Sequence, residues 1–267
     1  MLDFMMRFGS VQSELAELLD TEFLPGENDQ ITDYMRDVAE ETIRLHNAGE
    51  YERRDYNLLR LKMFAKHLSE VKSTREELFD EFREELKKED YDNYFGTRFE
   101  IDVAASLIRK DIDFEHPDPP DFDVQDKNVD IECQSSHFSG GDRTIEEKIK
   151  QTIGSKSGKD YYNQSNALFV DMTNIYFSSA DRDEDISREK VKKWVRENFE
   201  VFDRKIGSLV LFTYVADASS GNSRLHHSYL RFDNYENKPK EELVEFLDQH
   251  WPKGNEHFPK TFFPVEP

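Results

Sequence analysis

Apolar residues recur at helical spacing through the first ninety positions of the chain. After the Pro25-Gly26 turn, Ile31, Tyr34, Met35, Val38 and Leu45 form one stripe, which stops near Gly49, a residue suited to the left-handed position after a helix. Leu58, Leu61, Phe64, Leu68 and Val71 form a second stripe. Ser73 and Glu76 have the S-x-x-E spacing of a capping box and predict the start of a further helix carrying Leu78, Phe79, Phe82 and Leu86. The opening segment MLDFMMRFGSVQSELAELLD sets Asp3 and Arg7 inside its apolar patch and turns acidic at once, unlike a secretory leader, so it is read as structure. The charged run Lys87-Lys88-Glu89-Asp90 marks the expected boundary between a helical accessory region (1–90) and an α/β domain (91–267). Nothing catalytic stands out in the helical region, which is assigned to packing, to a protein partner or to self-association.

Beyond the boundary the period changes. YFGTRFEIDVAASLIRKD places Glu100, Val103, Ala104, Leu107 and Ile108 on one helical stripe, so a carboxylate shares the face that turns toward the core. DIDFEH predicts a short first strand, and the Pro-rich PDPP leads into DFDVQ, where Asp121 and Asp123 alternate with Phe122 and Val124. A turn at Asp126-Lys127-Asn128 is followed by VDIECQSS, with Glu132 and Gln134 on one face and Ile131 and Cys133 on the buried one. A helix over KIKQTIGSK, a strand at NALFVDMTN, a helix at SREKVKKWVREN, two strands at GSLVLFTYVAD and RLHHSYLRF, and a closing helix at EELVEFLDQHW complete the pattern.

Composition narrows the setting. The 267 residues carry 36 Lys+Arg against 57 Asp+Glu, a formal charge of −21, which excludes a generally basic nucleic-acid coat. Only 36% of residues are hydrophobic, yet 21 Phe and 11 Tyr supply bulk for a packed core. The single cysteine, Cys133, excludes an intrachain disulfide and a multi-cysteine zinc site, and makes a reducing cytoplasm the expected compartment. No apolar run approaches a membrane span, so no membrane partner is expected. Self-repulsion at this charge weakens a compact state at low ionic strength and is screened within roughly 3 Å at about 1 M salt. The expected outcome is a halophilic protein, whose melting temperature rises steeply with KCl in a thermal titration; a flat response excludes it.

The chemistry gathers in the middle of the chain. Glu100 from a helix and Asp121 and Glu132 from adjacent strands point toward one locus, the donor set of a hard divalent cation. Mg²⁺ takes oxygen ligands, keeps several waters and is held by one or two carboxylates, which leaves room for a phosphate and a nucleophilic water. A cation also relieves the cost of a carboxylate on a core-facing stripe.

Pro120-Asp121, followed by Glu132-Cys133-Gln134 and preceded by a helix bearing Glu100, resembles the PD-(D/E)XK nuclease superfamily, the restriction-endonuclease-like fold, over roughly residues 91–175. The resemblance implies an αβββαβ core with a mixed central sheet, Mg²⁺ or Mn²⁺ bound by Asp121 and Glu132 with Glu100 in support, and hydrolysis of phosphodiester bonds, of DNA in the first place and of RNA as the other polymer. Gln134 stands where the motif has Lys. It can hydrogen-bond water or phosphate but supplies no charge. Lys148 or Lys150, on the following helix, is the candidate to replace that amine. Lys156 and Lys159 extend a basic island that is free of acids, and Lys192 and Lys193 belong to a second basic helix; these four are the candidate nucleic-acid contacts.

The implied function is a metal-dependent nuclease in repair, recombination or defence. The alternative is a nuclease fold without catalysis, kept as a nucleic-acid-binding or protein-interaction module. Other signals carry less. GSKSGKD lacks the spacing and the terminal Ser or Thr of a phosphate-binding loop, and Ser135, Ser136 and His137 lack a nucleophile elbow. His226 and His227, adjacent on a strand, point to opposite faces and are not joint ligands of one metal.

Overall fold

The chain is α/β, with helices first and a five-stranded mixed sheet after them. The computed structural model describes residues 2–24, 29–89, 93–117, 119–136, 144–156, 159–175, 187–201, 205–217 and 224–254. They fall into two units, residues 1–109 with 216–225, and residues 110–215 with 226–267.

The first unit is helical: α1 (Leu2–Leu19), α2 (Gln30–Ala48), α3 (Tyr51–Thr74), α4 (Glu76–Leu86) and α5 (Tyr94–Arg109). Asp29 caps α2 by accepting the Thr32 amide at 2.8 Å, and Gly49 ends it at φ 79°, the left-handed conformation expected there. Helix α3 is the centre of the unit, with α1, α2, α4 and α5 all packed against it. The predicted stripes of α2, α3 and α4 are buried. The capping box is not formed. Ser73 still belongs to α3, where its hydroxyl bonds back to the Glu70 carbonyl at 2.9 Å, and Arg75 occupies the cap position without a side-chain cap. A serine that returns its proton to the preceding turn is no longer available to the next one.

Helix α5 is buried almost all round. Val103, Ala104 and Leu107 are buried as the stripe predicts, whereas Glu100 and Ile108 are only half-buried. The acid inside this unit is Asp102, whose Oδ1 lies 2.7 Å from His67 Nδ1 of α3, with each side chain only 3% exposed. Arg98, one turn earlier, donates to the Tyr34 hydroxyl at 2.7 Å and to the Arg60 carbonyl at 3.3 Å. The Tyr34 ring in turn stacks on Tyr94 at 4.2 Å.

In the second unit β1 (Phe122–Val124) and β2 (Val129–Ser135) form an antiparallel hairpin, and β2 runs parallel to β3 (Asn166–Asp171), which runs parallel to β4 (Ser208–Asp217). The order is β1-β2-β3-β4-β5, with β5 (Arg224–Asp233) at the far edge. A parallel neighbour needs a crossover, which α6 (Ile145–Lys156) supplies between β2 and β3. Helix α7 (Arg188–Val201) packs on α6, and α8 (Glu241–His250) packs on β2. Strand β3 is buried at every position, as a strand covered on both faces should be.

The expected first strand at DIDFEH is reduced to a single bridge, in which Glu115 and Asp123 exchange amides at 2.9 and 3.1 Å. The chain then runs into Pro117, Pro119 and Pro120, which have no N–H to continue a ladder. Among the described residues, no helix is long and apolar enough to cross a membrane.

Candidate functional site

The hairpin turns at a short 3₁₀ segment, Gln125–Lys127, closed by Asn128 in the left-handed conformation at φ 51°. That geometry fixes the register as Phe122 opposite Ile131 and Asp123 opposite Asp130. Because strand side chains alternate, Phe122, Val124, Val129, Ile131 and Cys133 go to one buried face, and Asp121, Asp123, Asp130, Glu132 and Gln134 share the other. One residue beyond the ladder, Asp121 stands opposite Glu132. Its Oδ2 accepts the Cys133 amide at 2.6 Å, which fixes the carboxylate beside β2. Glu132 is 2% exposed. The two predicted metal ligands are therefore brought together by register, and Cys133 is buried as expected.

Two tyrosines that the sequence pattern did not single out stand beside this pair. Tyr161 and Tyr162 lie in the connection from α6 to β3, with ring centroids 4.7 Å apart. Burial, and after it the Glu132 charge, pushes the Tyr161 hydroxyl up to about 12, and the same two causes raise Tyr162. Both remain protonated at neutral pH and can donate a hydrogen bond. Asp121 adds to both shifts, so the hydroxyls sense both carboxylates. The adjacent aromatics in KDYYN were the available signal.

The remaining candidates are more dispersed. Gln134 is half-buried and its Nε2 donates to the Ser135 carbonyl at 2.7 Å. Lys148 is half-buried on α6. Lys150 is held at the α6 to α7 contact, 2.6 Å from Glu146 and 2.8 Å from Glu197, and these bonds raise its pKa. Lys159 is exposed, and the Lys156 side chain and all of His137 lie outside the described residues. Lys193 is exposed and 3.6 Å from Glu197, while Lys192 lines a cavity beside β5. Glu100 stands on α5 of the helical unit. Ser135 and Ser136 are buried, with the Ser136 hydroxyl 2.5 Å from Thr152. His227 stacks on Tyr214 at 4.0 Å, and the His226 side chain lies outside the described residues.

Among the described residues, no group of three or more His, Cys, Asp or Glu side chains is arranged to hold a metal ion. The Asp121 and Glu132 pair is still a fitting donor set for Mg²⁺, which is usually held by one or two carboxylates and completes its shell with water and phosphate oxygens.

The same face has a second acidic contact. Burial and, after it, the cross-strand Asp123 raise Asp130, against a 3.1 Å bond from Asn166 and the charge of Lys240. A carboxyl raised in the folded state binds its proton more tightly there than in the unfolded chain, so stability falls as pH climbs from its ordinary value of 3.8 through the higher folded value. Asp130→Asn keeps the acceptor for Asn166 and removes the charge. The variant should melt above wild type at pH 7, and the gap should close below pH 3.8 in melting curves taken across the range. No protein-family model, curated protein or solved structure matches this chain.

Proposed function

We propose that the chain is a metal-dependent nuclease whose centre is the Asp121 and Glu132 pair. The observation that carries this reading is their placement opposite each other, with Asp121 fixed by the Cys133 amide at 2.6 Å. The order of elements supports it: a helix, a bridge at Glu115, an antiparallel hairpin, a crossover helix and a parallel strand follow one another as the αβββαβ resemblance implies.

When bound, Mg²⁺ or Mn²⁺ lowers the pKa of a coordinated water and offsets charge on the phosphoryl oxygens. The chain's own residues do the rest. Asp121 and Glu132 present the carboxylates, and Tyr161, protonated at neutral pH, donates to Glu132 and so orients it. Gln134, two residues from Glu132 on the same strand face, offers a neutral hydrogen bond to water or phosphate, and Lys148 stands on α6 as the candidate counter-charge. The substrate is DNA, with RNA as the other polymer to be tested.

A second reading is favoured by a specific observation. Gln134 replaces the motif Lys, and Lys150 is engaged by two carboxylates at 2.6 and 2.8 Å, which weakens the supply of a catalytic amine. On that reading the core binds nucleic acid or protein without cleaving. The test is incubation of folded wild type with plasmid, single-stranded and branched DNA and with RNA, in Mg²⁺ or Mn²⁺, from low to molar KCl. Metal-dependent cleavage of any one polymer supports the nuclease and names its substrate; intact polymers throughout favour the binding module. The salt range is needed because phosphate contacts weaken as salt rises.

A further inference from the structure

A cavity of about 290 Å³ opens beside the edge strand β5, at the other side of the sheet from the β1 and β2 hairpin. Among the described residues its charged lining is Lys192, Arg196, Arg231 and Lys253 against one carboxylate, Asp233. Four cations around one small space are unusual in a chain of net charge −21.

The carboxylate is already saturated. Asp233 accepts from Ser208 at 2.9 Å, from Arg231 at 2.9 and 3.2 Å and from Lys253 at 2.7 Å. Although burial opposes it, the bonds from Arg231 and Lys253 hold Asp233 below the ordinary carboxylate range. Arg231, whose side chain is 0% exposed, spends its other end on Asp248 at 2.7 Å. These two residues form the floor. Lys253 is half-exposed and, among the described residues, uses one of its three donors, on Asp233. Lys192 and Arg196 are one helical turn apart on α7, so they project from one face, and among the described residues neither has an ion-pair partner.

The walls are fixed as well as charged. The Tyr229 hydroxyl donates to the Pro252 carbonyl at 2.8 Å, which ties the segment carrying Lys253 to β5. Tyr235, just after β5, lines the same cavity and is 44% exposed, so a flat aromatic face stands next to the cations. A basic recess with an aromatic beside it is the combination that takes a phosphate together with a stacked base. The volume lies just below the roughly 300–1,000 Å³ of ligand pockets, a size for no more than one nucleoside phosphate unit.

We propose that this cavity binds a nucleoside phosphate, with the phosphate on Lys192, Arg196 and Lys253 and the base against Tyr235. The site is separate from the carboxylate pair: β5 is three strands from β2, about 14 Å across the sheet at about 4.8 Å per strand. It stands without the nuclease reading: Lys192 is also a candidate nucleic-acid contact there, but none of the cavity's residues belongs to the carboxylate pair. The ligand is either a free nucleotide or one unit of a single strand, and binding data distinguish them.

The experiment measures anisotropy of a labelled dT 12-mer, with ATP in parallel by calorimetry, on the full chain in EDTA. It uses the lowest KCl at which melting curves show a folded protein. The variants are Lys192→Ala with Arg196→Ala, and Tyr235→Ala; the charge-matched control is Lys62→Ala with Lys66→Ala on α3. The expected result is binding that weakens at least about tenfold in the double variant and about tenfold in Tyr235→Ala, with the control like wild type. On the single strand, loss of two phosphate contacts should also reduce the salt slope by about 1.4. A 12-mer much tighter than ATP identifies a strand, and equal affinities identify a free nucleotide. Wild type that binds neither, or cavity variants that bind like the control, overturn the proposal. EDTA silences metal-dependent cleavage, so failure here is distinct from failure of the nuclease reading.

Discussion

Glu132→Gln and Asp121→Asn should each cut metal-dependent cleavage by at least about 100-fold while leaving the fold intact, since loss of an outer-shell partner alone typically costs about 10–100-fold in activity or metal affinity. Both substitutions keep the shape of the side chain. The Asn oxygen can still accept the Cys133 amide that Asp121 receives at 2.6 Å, so the hairpin is not disturbed. Glu132 is 2% exposed, and a buried carboxylate without a cation is costly, so Glu132→Gln should melt no lower than wild type in the absence of metal. Metal should then separate the two proteins. A cation at about 100 times its Kd stabilises the folded state by about 2.7 kcal/mol, which raises the wild-type melting temperature and leaves the variant unmoved. Equal cleavage by wild type and both variants rejects the site.

The second large effect belongs to the helical unit. Asp102→Ala should destabilise it by about 3 kcal/mol, the range for removing one partner of a buried, hydrogen-bonded charge. Asp102 and His67 are 2.7 Å apart with each side chain 3% exposed, so truncation removes the carboxylate that meets the imidazole and opens a small cavity. In a protein of this size, that corresponds to a fall of about 6–12 °C in melting temperature. Asp102→Asn, which preserves an acceptor for Nδ1, should recover part of the loss. A truncation that costs nothing in thermal melts would mean that the pair does not hold α3 to α5.

The hairpin was legible because its information is local. Alternation from Asp121 to Val124 and from Val129 to Gln134, with a short turn between, fixes faces and register together, and the pairing of Phe122 with Ile131 follows. The adjoining strand at DIDFEH was not, because alternation says nothing about whether a ladder can continue, and three prolines end it. Helix α5 misled for a related reason. A single stripe assumes one buried face, but this helix is covered nearly all round, so the buried acid is Asp102 and not Glu100. Its partner His67 lies 35 residues away on another helix, beyond any local pattern. The cavity beside β5 depends on the same kind of distant meeting, with Lys192 on α7 joined by Arg231 and Lys253. Lys150 has the opposite history: its spacing marks a basic island, and only the fold brings Glu197 to it.

The central claim is that Asp121 and Glu132 hold a divalent cation. Titration of folded protein with Mn²⁺, followed by electron paramagnetic resonance at a KCl concentration that screens the acidic surface, tests it most directly. The account predicts one Mn²⁺ site in wild type, displaced by Mg²⁺ and lost in both Asp121→Asn and Glu132→Gln. Variants that bind Mn²⁺ as wild type does, or a folded wild type that binds none, would contradict it.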